Sequence, residues 1–356
     1  MQLTYLEVQD LRIIESASLV PAPGINLLIG DNAAGKSSLL EAIHLIGIGR
    51  SFRGRAVGPL IRTGAVRLTV HARLRHGDGE EVVVGVEKGP GKTRIRLAGS
   101  DVGSAASLAR QVPVVLVPPD SQRLLTDGAD LRRRLVDWGL FHVEPSYAGT
   151  HQAYRRALQQ RNALLREASS TTLAPWDREL AQAGEQLHGL RSLHLDRILP
   201  EISAFLSELM DQVVSIHYHP GWENHEGLEH ALGRNTGVDR ARGHTTVGAH
   251  RADLHFEVAG TSAHQRLSRG EGKLFCLAVW LGQARHFQRH SGRRPLILID
   301  DLAAELDPAN RTRVMETLAG LGAQAFVTAL SGRAFGEPET VQKAFHVERG
   351  KVSEMV

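Results

Sequence analysis

Residues 30–37 read Gly30-Asp31-Asn32-Ala33-Ala34-Gly35-Lys36-Ser37, and this stretch decides the predicted fold. Residues 25–29 before it form a short apolar run, which is typical of a buried strand. Residues 36–48 after it carry apolar side chains at helical spacing. Between a strand and a helix, the backbone N–H groups of such a loop and the positive end of the helix surround phosphate oxygens. The stretch therefore predicts a phosphate-binding loop.

The residue types of this loop predict its ligands. Lys36 is expected to bridge the β and γ phosphates of ATP, and the Ser37 hydroxyl is expected to ligate Mg²⁺. The other residues of the loop, together with Ser38 just after it, are candidate ATP-binding residues. ATP and Mg²⁺ are therefore the expected cofactors.

The rest of an ATPase site comes more than 250 residues later in the chain. Residues 296–299 form an apolar run that predicts a buried strand, and it delivers Asp300 and Asp301 to its carboxyl end. We expect Asp300 to hold Mg²⁺, and Asp301 to orient and deprotonate the attacking water.

The stretch Leu267-Ser268-Arg269-Gly270-Glu271 stands before a predicted helix over residues 272–285. Ser268 and Gly270 at a helix N-terminus can hold the γ-phosphate of a nucleotide bound elsewhere, although serine also caps ordinary helices. This stretch cannot easily reach a nucleotide held by Lys36 of the same chain.

The fold class predicted from these patterns is α/β, an ATPase head interrupted by an inserted, mainly helical arm. We place the N-terminal half of the head at 1–118, the arm at 119–246 and the C-terminal half at 247–356. Residues 131–210 predict helices, with breaks at Pro145 and 171–175 and a further candidate break at Pro200. Two of these helices, joined by residues 168–175, are expected to form an antiparallel hairpin. Residues 212–246 predict a strand and loops.

The bulk composition fits a globular protein of the cytoplasm. Apolar residues make up 42% of the chain, and no run of ~18 apolar residues predicts a membrane span. The N-terminus shows no export signal. The one cysteine, Cys276, stands in an apolar stretch and is expected to be a packed core residue in a reducing compartment.

Charge is distributed unevenly along the chain. Residues 49–110 hold twelve Lys and Arg against five acids, a balance of +7, whereas residues 119–246 hold fourteen Arg against seventeen acids, a balance of −3. The basic segment contains a single aromatic residue, Phe52. We therefore expect it to contact the phosphates of duplex DNA or of a duplex-to-single-strand junction, rather than to stack on bases.

The order of these motifs resembles the ABC-type ATPase heads of the SMC-like group and, within it, the RecF family. Nearly the whole chain carries the resemblance. Besides the loop and the acidic strand, the similar stretches are Gly49-Arg50-Ser51-Phe52-Arg53, Arg132-Arg133-Arg134-Leu135-Val136-Asp137-Trp138, Gln160-Arg161-Asn162-Ala163-Leu164-Leu165, Pro175-Trp176-Asp177, Gly248-Ala249-His250-Arg251-Ala252-Asp253-Leu254 and Ala304-Glu305-Leu306-Asp307.

This resemblance implies a DNA-binding protein that forms a head-to-head homodimer with ATP between the two copies, so that Ser268 of each copy meets the nucleotide of the other. It also implies weak hydrolysis of ATP and action in replication and recombinational repair. It implies help in loading RecA at single-stranded gaps together with the mediator proteins RecO and RecR. It also implies that Thr328 senses the γ-phosphate. The chain departs from the family pattern at Glu271, where Gln is usual, and at Ala304, where Ser is usual. The glutamine-loop residue stays open between Gln111 and Gln122.

Two alternatives share the head motifs. One is the energy subunit of a membrane transporter, although such subunits have a shorter, all-helical segment between the loop and Ser268. The other is a scaffold that binds ATP without hydrolysing it. Asp301 argues against the scaffold, and Glu271 leaves it open.

Overall fold

The computed structural model describes residues 1–54, 56–77, 79–167, 172–223, 225, 227–332 and 340–355. Its strands, numbered along the chain, are β1 (Gln2–Leu11), β2 (Ile14–Leu19), β3 (Ile25–Ile29), β4 (Leu68–Arg75), β5 (Glu81–Gly89), β6 (Lys92–Leu97), β7 (Ser100–Asp101), β8 (Val114–Val117), β9 (Ser215–His219), β10 (Asp253–Val258), β11 (Thr261–Ser262), β12 (Leu296–Ile299), β13 (Ala325–Ala329), β14 (Val341–Glu348) and β15 (Lys351–Met355). Its helices are α1 (Lys36–Ile48), α2 (Ala105–Gln111), α3 (Arg123–Thr126), α4 (Ala129–Val143), α5 (Tyr147–Arg166), α6 (Ala174–Leu209), α7 (Leu228–Arg242), α8 (Ala263–Arg266), α9 (Arg269–Ser291) and α10 (Pro308–Leu321). Short 3₁₀ turns occupy Gly58–Leu60 and Ala249–Arg251.

The chain folds into two compact units. The head unit comprises Met1–Ser121 and Arg269–Val356, and the arm unit comprises Gln122–Ser268, so the arm sequence interrupts the head sequence. The predicted insertion, 119–246, ends earlier than this unit does. The difference arises because β10 pairs antiparallel with β9, with Asp253 opposite His219, and this pairing keeps the residues after 246 in the arm unit.

A largely parallel sheet of the head unit carries the phosphate-binding loop. Its strand order is β15-β14-β3-β13-β12-β8, with only β14 and β15 antiparallel to each other. Strands β3, β12 and β13 are buried along their whole length, which explains why they read as continuous apolar runs in the sequence. Because parallel strands end at the same edge of a sheet, the segments that follow these three strands meet there.

Helix α1 joins this sheet to a second one in the head unit. The second sheet is antiparallel, with the order β2-β1-β4-β5-β6-β7. Leu39, Leu40 and Ile43 of α1 belong to one apolar cluster with side chains of both sheets, including Leu6 and Leu298. Burial against both sheets fixes the direction of α1, and therefore the loop at its N-terminus.

The arm unit contains helices α3–α8 and a small sheet of order β11-β10-β9. Helix α6 runs for 36 residues, so it is roughly 54 Å long, and it continues through Pro200. The candidate break at Pro200 is therefore wrong. Residues 168–171, in the predicted connection of the helical hairpin, lie outside the described residues.

Helix α7 was not predicted, because residues 212–246 read as a strand and loops. Gly233 and Gly237 within it have low helix propensity, and burial of Leu228, Ala231 and Leu232 outweighs that cost. Cys276 is buried, as predicted. Among the described residues, no helix combines the length and apolar character that crossing a membrane requires.

Candidate nucleotide-binding site

The phosphate-binding loop passes from β3 into α1 without a side-chain cap. Gly35 is the N-cap residue, with φ 116°, and Ala33 is also left-handed, with φ 62°. Within the loop, the Ala34 N–H donates to the Asp31 carbonyl oxygen at 3.2 Å. The first N–H groups of a helix have no carbonyl partner in their own helix. The backbone N–H groups of residues 36–38 therefore point out of α1, toward the space that the loop surrounds. The arrangement can bind an anion through backbone groups alone.

Lys36 lies against the loop that precedes it. Its Nζ donates to the carbonyl oxygens of Gly30 at 2.6 Å and Asp31 at 2.7 Å. Burial lowers the pKa of the Lys36 ammonium, and the carboxylates of Asp301, Asp300 and Asp31 oppose that shift. The ammonium is thus held inside the curve of the loop by carbonyl oxygens, which an anionic ligand can replace.

Asp300 accepts hydrogen bonds from two hydroxyl groups on neighbouring elements. Its Oδ1 accepts from Ser37 Oγ at 3.0 Å and from Thr328 Oγ1 at 2.7 Å. Its Oδ2 is buried and has no hydrogen bond within the described residues, and the Arg53 guanidinium lies 3.8 Å away. The predicted pair of metal ligands, Ser37 and Asp300, is therefore brought together although 263 residues separate the two.

The Thr328 hydroxyl holds the two acids in place. Thr328 is 1% exposed, and its Oγ1 donates to Asp300 and accepts from the Asp301 N–H at 2.7 Å. A hydroxyl has one proton to donate, and here Asp300 receives it. The Thr328 side chain is therefore bound to both acids, and its predicted role in sensing the γ-phosphate stays a prediction.

Asp301 begins a loop that a buried lysine secures. Lys273 is 1% exposed, and its Nζ donates to the carbonyl oxygens of Asp301 at 2.5 Å and Ala304 at 2.9 Å. Burial lowers the pKa of Lys273, and the nearby carboxylates of Asp301, Glu305 and Asp300 oppose the shift. The Asp301 carboxylate itself forms no hydrogen bond or ion pair with the residues that the structure describes. The backbone of Asp301 is thus fixed by hydrogen bonds, and its carboxylate is available to bind a water molecule.

Sequence reasoning missed Lys273, and one signal could have found it. A lysine followed by the apolar run Leu274–Val279 in a helix is out of place unless its ammonium has partners. Sequence reasoning also missed the hydrogen bonds that hold the backbone of Arg53 in position. The buried Glu41 carboxylate binds both Arg12 and the Ser51 hydroxyl, and Ser51 Oγ accepts from the Arg53 N–H at 2.9 Å.

Ser268 and Gly270 stand where α9 begins, as predicted. Ser268 is the last residue of the arm unit and is exposed, and Gly270 lies in the first turn of α9. The helix itself is longer than predicted, Arg269–Ser291 rather than 272–285.

The basic segment forms part of the antiparallel sheet, and acids share many of its guanidinium groups. Arg67 pairs with Glu87 at 3.4 Å. Arg94 and Arg96 both pair with Asp101, at 3.0 Å and 3.1 Å. The acids already subtracted in the balance of +7 therefore neutralise particular arginines of the sheet, and the excess positive charge comes from the other basic residues of the segment.

Comparison with known proteins places the chain in a family. A family model described as the RecF/RecN/SMC N terminal domain matches residues 2–353. The DNA replication and repair protein RecF of Edwardsiella ictaluri is 39% identical, over 99% of this chain and 100% of that protein. The chain belongs to the RecF family. The RecF protein of Stenotrophomonas maltophilia is 40% identical, over 99% of each chain.

The RecF family is also recognised at the level of structure. A solved structure of the recombination mediator protein RecF with ATP, in the RecFOR pathway, matches with a TM-score of 0.88 and 26% identity, over 100% of this chain and 98% of that one. The family and the ABC-type, SMC-like fold predicted from the motifs are thereby confirmed. The relatives of this RecF-family chain are DNA replication and repair proteins, so the transporter alternative is not supported.

Proposed function

We propose that this chain is an ATP-dependent DNA-binding protein of replication and recombinational repair, and that ATP held between two heads drives its dimerisation. The observation that carries the proposal is the meeting of Lys36, Ser37, Asp300 and Asp301 at one edge of the parallel sheet, in a chain of the RecF family. The matching RecF structure contains ATP, which supports ATP as the ligand here.

The oxygen atoms at this edge suit Mg²⁺, a hard cation that prefers oxygen ligands. Ser37 and Asp300 would hold it, because the Ser37 hydroxyl lies 3.0 Å from Asp300 Oδ1 and the second carboxylate oxygen is buried without a hydrogen bond in the described residues. When bound, Mg²⁺ supplies positive charge next to the β and γ phosphates.

Weak hydrolysis of ATP follows from the same geometry. Lys36 exchanges its carbonyl partners for β and γ phosphate oxygens and stabilises the charge that develops on them. The Asp301 carboxylate orients the attacking water and accepts its proton. Thr328 binds the N–H of Asp301 and Lys273 binds its carbonyl group, so the backbone that carries the base is fixed beside the phosphate-binding loop.

Dimerisation explains the separate Ser268 stretch. In a C2 pair, Ser268 and Gly270 at the start of α9 contact the γ-phosphate bound by the other copy. ATP then adds contacts that exist only in the closed dimer, and hydrolysis removes them. The DNA is held through the basic face of residues 50–110, whose surface ion pairs are weak enough to exchange for phosphates.

The proposed protein partners and cellular location are those of the RecF family. We propose action in the cytoplasm on duplex DNA and duplex-to-single-strand junctions, with RecO and RecR as protein partners and RecA loading as the outcome. The test is sedimentation with ATP, with ADP and without nucleotide, each with and without gapped DNA. We expect the protein to sediment as a dimer in ATP, and we expect gapped DNA to increase the dimer fraction. A monomer under every condition would overturn the proposal.

Ser268→Arg is expected to weaken ATP-dependent dimerisation by about tenfold or more, while ATP affinity of the monomer stays within about twofold. The arginine side chain is too bulky for a helix terminus that approaches a phosphate, and its charge opposes the positive end of α9. Ser262→Arg, at another exposed serine six residues earlier, is the control. Equal dimerisation of Ser268→Arg and Ser262→Arg would contradict contact across the interface.

Lys273→Met is expected to slow ATP hydrolysis by about tenfold or more, with ATP affinity unchanged, because the Asp301 and Ala304 carbonyl oxygens lose their shared donor. Lys88→Met is the matched control. Lys88 is also buried, its pKa is also lowered by burial, and its Nζ donates to Thr93 Oγ1 in the antiparallel sheet. Steady-state ATPase and nucleotide-binding assays of both variants decide the matter, and a similar slowing in both would refute the special role of Lys273.

A further inference from the structure

The hairpin at the end of the chain reaches the phosphate-binding loop, and no sequence motif indicated this. Strands β14 and β15 are joined by Arg349 and Gly350, whose φ values are 48° and 78°. Left-handed values at both positions define the tight two-residue hairpin turn. In the parallel sheet β14 lies beside β3, with His346 opposite Ile29. The turn therefore lies just past the point where the phosphate-binding loop leaves β3.

The hairpin and the loop meet backbone to backbone. The Gly350 N–H donates to the Ala34 carbonyl oxygen at 2.8 Å. A Cβ atom at Gly30 would lie 2.1 Å from the Val347 carbonyl oxygen, and one at Gly35 would lie 3.5 Å from the Gly350 Cα. No side chain can be added at Gly30 without moving β14, so this close contact requires glycine at the start of the loop.

Gly350 is also enclosed from its other side. A Cβ atom at this position would lie 2.6 Å from the carbonyl oxygen of Ile13, in the turn between β1 and β2. Gly350 is buried, whereas its neighbours Arg349 and Lys351 are exposed. The residue thus lies between the phosphate-binding loop and the β1–β2 turn, in a space that only a hydrogen on Cα fits.

We propose that Gly350 is a positioning residue for nucleotide binding, and that its turn holds the phosphate-binding loop in the shape that accepts a triphosphate. The inference rests on the proposed function, since it takes ATP as the ligand. Ala33 and Gly35 are both left-handed, and the residue between them, Ala34, is the one that Gly350 binds. One hydrogen bond therefore secures the residue between the unfavourable left-handed conformation of Ala33 and the left-handed Gly35, and the N–H groups beside them keep their direction without ligand.

The experiment compares Gly350→Ala with Gly99→Ala. The turn at Ala98 and Gly99 has almost the same backbone, with φ values of 49° and 80°, but a Cβ atom at Gly99 would meet nothing within 4 Å. Both variants carry an L-residue in a left-handed conformation, and only Gly350→Ala displaces the Ile13 carbonyl group and disturbs Ala34. Mg-ATP affinity is measured by calorimetry, and the melting temperature of each variant is recorded.

The expected result is that Gly350→Ala raises the Kd for Mg-ATP by about tenfold or more, while Gly99→Ala changes it by less than about twofold, at similar losses in melting temperature. A Kd for Gly350→Ala within about twofold of the unmodified chain would overturn the inference. If that variant does not fold, one glycine inserted after Gly350 is compared with one inserted after Gly99, under the same expectations. Failure of the unmodified chain to bind Mg-ATP would instead reject the proposed function.

Discussion

Asp301→Asn is expected to lower the rate of ATP hydrolysis by about 10²-fold or more, while ATP affinity stays within about twofold. The amide keeps the shape of the carboxylate and cannot accept a proton from water. The backbone of the loop should survive the change, because Thr328 and Lys273 bind the N–H and carbonyl groups of residue 301 rather than its side chain. Its φ of 54° is also one that asparagine adopts readily.

Asp10→Asn is the matched control for this variant. Asp10 is another aspartate of the head unit with a left-handed backbone, φ 53°, and its carboxylate pairs with Arg62 on a half-exposed surface. We expect Asp10→Asn to hydrolyse ATP at the unmodified rate. Steady-state ATPase assays with and without DNA measure both. If Asp301→Asn hydrolyses ATP normally, another group is the base. If the unmodified chain binds ATP tightly with no turnover, the non-hydrolysing scaffold is the better description.

Arg161→Met is expected to destabilise the arm unit by about 3–5 kcal/mol, because it leaves buried carboxylates without their cation. Arg161 and Asp239 are both 0% exposed, and Arg161 Nη1 donates to Asp239 Oδ2 at 2.6 Å. The same guanidinium binds Asp177 at 2.6 Å and the Thr245 hydroxyl at 2.9 Å. One side chain thus joins α5 to α6, to α7 and to the segment after α7.

Urea unfolding followed by tryptophan fluorescence measures the effect. Of the four tryptophans, Trp138, Trp176 and Trp222 belong to the arm unit, so the signal reports mainly on that unit. Arg156→Met, on the exposed side of the same helix, is the control and should change stability by less than about 0.5 kcal/mol. A loss below about 1 kcal/mol for Arg161→Met would show that the network contributes little. Arg161→Met combined with Asp239→Leu should lose less than the two single changes added together, because no lone charge remains at that pair.

The parts of the site that the sequence predicted are those that local pattern encodes. An apolar run followed at once by glycine or by two aspartates marks the carboxyl end of a buried strand, and the parallel sheet brings such ends together. Lys36, Ser37, Asp300 and Asp301 therefore lie at one edge, as their order in the sequence predicted.

The parts that the sequence did not predict depend on contacts between distant residues. Nothing near Gly350 in the sequence shows that its N–H binds Ala34, 316 positions away (350 − 34). The hydrogen bonds of Thr328 were not predicted for the same reason, because the two groups that its hydroxyl binds follow another strand, β12. A charge count along residues 50–110 likewise takes no account of which strands pair, and it is the pairing that places Asp101 beside two arginines.

The order of strands in the parallel sheet has a consequence for biosynthesis. Strand β3 ends at Ile29, yet both of its neighbours, β13 and β14, are made only from Ala325 onward, 296 positions later (325 − 29). At roughly 5–20 residues per second, tens of seconds pass on the ribosome between the synthesis of Lys36 and that of Gly350. During that interval the apolar strand β3 has no hydrogen-bonded neighbour on either edge, so it can associate prematurely with other chains or bind chaperones. Nascent chains should therefore gain the capacity to hold a nucleotide only once β13 and β14 have been made, long after the synthesis of Lys36.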